Sequence, residues 1–175
     1  HVAFVGDMDG DKSPEFAVAD SGFNAAAGEV YVFNLKGATP PATPAAAVIT
    51  VGNNVAGPAG DSFGVSIAAG DMASLKGADI NGDGRADLVV GASGAGTNNN
   101  GAVYVFYGQT TLTNLGTAQA DFVFPAPTGA VTFGQSVVVG KDFNDNTGTG
   151  SNDIAVGDPL HAASGAPVGR ISYYY

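Results

Sequence analysis

A chain of 175 residues, 45% of them hydrophobic, can bury a core, and that excludes a disordered tail. The formal net charge of −10, with only 6 Lys and Arg, argues against a nucleic-acid surface; such a surface needs basic side chains to displace counterions from phosphate. No cysteine is present, which excludes disulfides, thiolate metal sites and cysteine nucleophiles, and no apolar run approaches the ~18 residues of a membrane span.

The 27 glycines and a charged fraction of 13% suit strands and tight turns better than helices. In chain order, Val2 to Gly6 reads as a short strand that enters an acidic loop, and Glu15 to Ala19 as the strand that leaves it. Asp20 to Gly28 is a loop of small residues, and Val30 to Phe33 a third strand. Thr39 to Pro44 is too proline-rich for strand or helix; it is an extended connector or a carrier of O-linked sugar. Ala47 to Val51 closes the unit as a fourth strand. Phe63-Gly64 then opens a second round: strand Val65 to Ala69, an insertion from Asp71 to Ala78, an acidic loop, and strands Leu88 to Ala92, Val103 to Tyr107 and Asp121 to Phe124, the last stopped by Pro125. Phe133-Gly134 opens a third, with strands Ser136 to Val139 and Ile154 to Val156 around another acidic loop, and Gly169 to Tyr174 as its third strand. His161, in a loop beside Pro159, is a lone histidine and reads as a surface residue.

The acidic loops are the recurring chemistry. The second, Asp79-Ile80-Asn81-Gly82-Asp83-Gly84-Arg85-Ala86-Asp87, carries oxygen side chains at positions 1, 3, 5 and 9. Calcium takes six to eight oxygen ligands at about 2.3–2.6 Å, and a tight loop that aims alternate side chains inward supplies most of that shell. Asp79, Asn81, Asp83 and Asp87 are the side-chain ligands read here, with the backbone carbonyl of Arg85 between them and its side chain free to point to water. The first loop offers Asp7, Asp9, Asp11 and Glu15, with the carbonyl of Ser13. The third offers Asp142, Asn144, Asn146 and Asp153; it is stretched by three residues and has lost one acid. An EF-hand is excluded, because position 12 of the first two loops is Val18 or Val90 inside a strand, where that motif needs a bidentate Glu entering a helix. The expectation is calcium in the first two loops, a third ion in the last, and a structural role for the metal in pinning the turn between the first two strands of each unit.

Repetition of a four-strand unit must be read before any single motif. The units run about 1–60, 61–130 and 131–175 within one domain, 1–175. Such meanders are the blades of a β-propeller, whose sheets pack radially; a β-sandwich of the same strands is the rival. Phe63-Gly64 and Phe133-Gly134, then Val90-Gly91-Ala92-Ser93 and Val156-Gly157-Asp158-Pro159, then Gly-x-Val-Tyr-Val-Phe at 28–33 and 101–106, together with the loops, resemble the FG-GAP repeat family of integrin α-subunits. The first unit lacks the Phe-Gly pair.

The resemblance implies an all-β fold of about three antiparallel blades, an incomplete propeller unless more chain or oligomerisation completes it. It implies a non-enzymatic, calcium-binding module for adhesion or protein interaction, extracellular or at the cell surface. Two other readings stay open. One is a structural subunit of an assembly or filament, because an open apolar blade face at each end and a third unit one strand short invite self-association. The other is a glycan-binding or polysaccharide-acting propeller. The chain opens on His1, as a processed product or a fragment of a longer propeller would.

Overall fold

A computed structural model describes residues 1–34, 49–52, 59–70, 77–96, 98–141, 143, 152–163 and 165–175. The Thr39–Pro44 connector, most of the 71–78 insertion and the loop residues Asp142, Asn144 and Asn146 lie outside the described residues.

The chain is all-β. β1 (Val2–Gly6), β2 (Glu15–Asp20), β3 (Glu29–Asn34) and β4 (Ile49–Gly52) form an antiparallel meander. β5 (Phe63–Ala68), β6 (Leu88–Ala92) and β7 (Ala102–Phe106) begin a second; β8 (Leu115–Gly116) leaves it to pair in parallel with β4, and β9 (Phe122–Pro125) completes it. β10 (Ser136–Lys141) and β11 (Asn152–Asp158) begin a third. A small hairpin of β12 (Ala162–Ala163) and β13 (Ala166–Pro167) intervenes before β14 (Arg170–Tyr174) joins β11. The three main sheets thus have the orders β1-β2-β3-β4-β8, β5-β6-β7-β9 and β10-β11-β14.

Three details differ from the sequence reading. β8 gives the first sheet a fifth strand. Pro125 lies inside β9 rather than beyond it, because an edge strand need not donate on its outer side. The loop after β2 contains Asn24, Ala25 and Ala26 in succession at φ 49°, 57° and 63°, a left-handed turn closed by the Gly28 N–H on the Phe23 carbonyl.

The sheets pack face to face, and alternation along the strands decides which residue serves which interface. Val30 and Val32 of the first sheet meet Phe63, Leu88, Val90 and Phe106 of the second in one buried cluster. Val89, Val103 and Val105, on the opposite face of the second sheet, meet Phe133, Ile154 and Val156 of the third. β6 is therefore buried at all five positions, and its run Leu88-Val89-Val90 is continuous rather than alternating in hydrophobicity. The Phe-Gly pairs lock these interfaces. Phe133 N–H bonds the Asn100 carbonyl, and the Phe133 carbonyl occupies the space that a Cβ on Gly101 (φ +103°) would need. Phe63 makes the matching contact with Ala27 and Gly28. Glycine is thus required at the entry to β3 and β7 for closeness as well as for dihedral angle.

Candidate metal centre

Each acidic loop joins the first two strands of its sheet, so strand pairing brings both ends of the loop together. The first and second loops fold alike. Position 6 donates its N–H to the first carboxylate: Lys12 to Asp7 and Gly84 to Asp79, both 2.9 Å. Position 5 donates to position 3: Asp11 to Asp9 and Asp83 to Asn81, both 3.0 Å. The N–H of Ser13 reaches Asp11 at 2.8 Å, and that of Arg85 reaches Asp83 at 2.9 Å. These Asx-type turns coil the backbone around its own side-chain oxygens.

The closing acid makes one bond that recurs in all three loops. Glu15 accepts the Met8 N–H, Asp87 the Ile80 N–H and Asp153 the Phe143 N–H, each at 2.7 Å. Asp153 is thereby placed as the counterpart of Glu15 and Asp87. Its expected companions Asp142, Asn144 and Asn146 lie outside the described residues.

Several carboxylate oxygens remain buried with no hydrogen-bond partner: Asp7 Oδ1, Glu15 Oε1 and Asp79 Oδ1. Ligand atoms of Asp7, Asp9 and Glu15 lie within 4.8 Å of one another. Burial pushes Glu15 up to about 7 against the Met8 hydrogen bond, and the charges of Asp9, Asp11 and Asp7 push the same way. Burial likewise pushes Asp87 up to about 6, against hydrogen bonds from Gly108, Ile80 and Asn81. Acids crowded this way, with buried oxygens left unbonded, form a donor set suited to a hard cation; all-oxygen ligation excludes a soft one. The first loop fits best. In the second, both Asp87 oxygens already accept N–H groups, Oδ1 from Gly108 at 2.9 Å, and the part-exposed Arg85 guanidinium pairs with Asp83 at 3.1 Å. That pairing neutralises a carboxylate that would otherwise repel its neighbours.

Position 2 of each loop has a role that the ligand pattern does not assign. Met8 is fully buried in the cluster between the first and second sheets, Ile80 packs against the cluster between the second and third, and Phe143 meets Tyr173 edge-on with ring centroids 6.4 Å apart. An apolar residue between an Asp and the next Asp or Asn is the signal in the sequence that points to it. The loops also touch in series: the Ala86 N–H bonds the Asp7 carbonyl at 3.0 Å, and the Asn152 N–H bonds the Asp79 carbonyl at 3.3 Å. His161, expected at the surface, is instead held beside the buried Asp158 at 3.3 Å, and Asp158 also accepts the Thr132 N–H and hydroxyl.

Face-to-face antiparallel sheets, each with an acidic loop at its first turn, define a repeat protein built of propeller-type blades. Residues 73–106, which hold the second loop, β6 and β7, match the FG-GAP repeat family. Over 84 residues the chain is 43% identical to integrin alpha-PS5 of Drosophila melanogaster, a match that takes in 46% of this chain and 8% of that protein. The chain carries the FG-GAP repeat that its motifs resemble, and it spans a small fraction of that relative's length.

Proposed function

We propose that this chain is a non-enzymatic, calcium-binding interaction module that works outside the cell. The observation that carries the reading is the pair of matching loops with buried, unpartnered carboxylate oxygens on Asp7, Glu15 and Asp79. Leaving such groups unpaired costs several kcal/mol by general estimates, so a bound cation is their natural complement. Asp7, Asp9, Asp11, Glu15 and the carbonyl of Ser13 would hold one ion; Asp79, Asn81, Asp83, Asp87 and the carbonyl of Arg85 a second; Asp142, Asn144, Asn146 and Asp153 a third. When bound, calcium supplies charge neutralisation and a rigid loop. Met8 and Ile80 then keep their seats between sheets, and the blades present a fixed surface to a protein partner. Short surface loops of this kind suit the millimolar calcium found outside cells, with dissociation constants on the order of 10⁻⁴–10⁻³ M. Likeness to an integrin α-subunit supports the same location and an adhesive or protein-binding role.

Calorimetric titration with calcium, run beside thermal melting with and without a chelator, tests the reading. Saturable uptake with a raised melting temperature is expected. Superimposable melting curves and no heat of binding would reject it.

A further inference from the structure

The dipeptide Asn-Gly occurs at 81–82 and again at 100–101, and the fold treats the two differently. Its chemistry is intrinsic. The glycine nitrogen can add to the Asn side-chain carbonyl carbon and close a cyclic imide, because glycine has no Cβ to obstruct the approach. Three features of the surroundings govern that step: whether the glycine N–H is already bonded, whether the glycine has room to move, and whether water reaches the amide.

Around Asn100-Gly101 all three are closed. The Gly101 N–H donates to the Ala95 carbonyl at 2.8 Å, Gly101 is buried, and the Phe133 carbonyl sits where its Cβ would be. The Asn100 carbonyl accepts the Phe133 N–H at 3.0 Å. Around Asn81-Gly82 all three are open. Both residues are exposed. Among the described residues the Gly82 N–H has no acceptor, and no heavy atom lies within 4 Å of the space that a Cβ on Gly82 would fill. Asp83 alone restrains the Asn81 side-chain amide: Oδ1 accepts the Asp83 N–H at 3.0 Å, and Nδ2 donates to Asp83 Oδ2 at 3.3 Å. Both bonds are exposed, so water competes for them.

We propose that Asn81 is a site of spontaneous deamidation and that calcium in the second loop protects it. The Gly82 nitrogen bonds to Asn81 Cγ, the Cγ–Nδ2 bond breaks, and ammonia leaves with the proton that Gly82 gave up. Water then opens the imide at one carbonyl or the other, leaving aspartate or isoaspartate. The product changes the metal site. Position 3 of the first loop is Asp9, so the aspartate form makes the second loop match the first there. The isoaspartate form carries the main chain through the former side-chain carbon. That lengthens the backbone between Asp79 and Asp83 and removes the oxygen that holds the Asp83 N–H. The protection rests on the calcium reading: an Asn81 Oδ1 bound to an ion is fixed, and its amide cannot turn toward Gly82.

The test incubates the full chain well below its melting temperature, in chelator and in calcium. Mass spectrometry follows the peptides that hold Asn81 and Asn100, and isoaspartyl methyltransferase labelling reports the isoaspartate form. In chelator Asn81 is expected to deamidate at least about tenfold faster than Asn100, the ratio that a modest difference in local opening gives. Calcium at about ten times its dissociation constant leaves about a tenth of the loops empty, so Asn81 is expected to slow about tenfold. Asn81→Gln, whose longer side chain closes the imide poorly, is expected to silence that peptide. An Asn81 that stays intact in chelator overturns the proposal. So does an Asn100 that keeps pace with it, because general unfolding would then be exposing both dipeptides. Calorimetric titration of the same samples separates this inference from the metal reading. Equal Asn81 rates in chelator and in calcium overturn the protection where the titration shows calcium bound. Where it shows none, the metal reading fails and the protection with it, while an Asn81 that outpaces Asn100 still supports the modification site.

Discussion

Each loop rests on a few carboxylates whose surroundings work against their charge. The folded pKa of Glu15 lies near 7 against an ordinary 4.5, and that of Asp87 near 6 against 3.8. A carboxyl raised in this way binds its proton more tightly folded than unfolded. Without metal, therefore, these two groups favour the folded state most below about pH 4, and that contribution is lost as pH climbs towards 7. Thermal melting in chelator is expected to show stability declining between pH 5 and pH 7, with Glu15→Gln flattening the slope. Added calcium should reverse the trend, because ligands must shed protons to bind it. A different residue separates the two loops. Asp83 pairs with Arg85 and belongs to the second loop alone. Asp83→Ala is expected to weaken one site by at least about tenfold and leave the first loop binding, read as a lost step in a calorimetric titration.

Strands differ according to how many faces they bury. β6 has sheets on both sides and Leu88 at 0% exposure, whereas Val138 on β10 is 53% exposed. Leu88→Ala is expected to cost about 2–5 kcal/mol in urea unfolding, and Val138→Ala less than about 0.5 kcal/mol. The turn into β7 is as sensitive for a different reason. Gly101→Ala would force a Cβ against the Phe133 carbonyl at a positive φ, so more than about 1 kcal/mol is expected to be lost. Equal stability of the alanine and glycine forms would contradict that close approach.

Across the whole molecule, loops and interfaces form one series. The Asp7 carbonyl holds the Ala86 N–H of the second loop, and the Asp79 carbonyl holds Asn152 at the end of the third. Position 2 of the first two loops sits in the interface with the next sheet. Calcium removal is therefore expected to lower the melting temperature of the whole chain by about 5 °C or more in a single calorimetric transition. Two resolved transitions would show that the sheets melt independently of their loops.

Much of this is legible in one dimension. Strand positions, loop positions and the threefold recurrence come from local signals: β-branched runs such as Val30 to Phe33, the Asp-x-Asn-x-Asp spacing from Asp79, and the Phe-Gly pairs. Those signals survive because a tight turn and an extended strand are chosen mainly by residues near in sequence. Contacts between distant residues decide the rest. Nothing local tells β8 to leave its own meander for β4, or brings the Thr132 N–H and hydroxyl onto Asp158. Nor does the alternation of a strand say which of its faces another sheet will cover. Val89 and Ile171 are equally apolar in the sequence, yet only packing makes the first a core residue and leaves the second exposed.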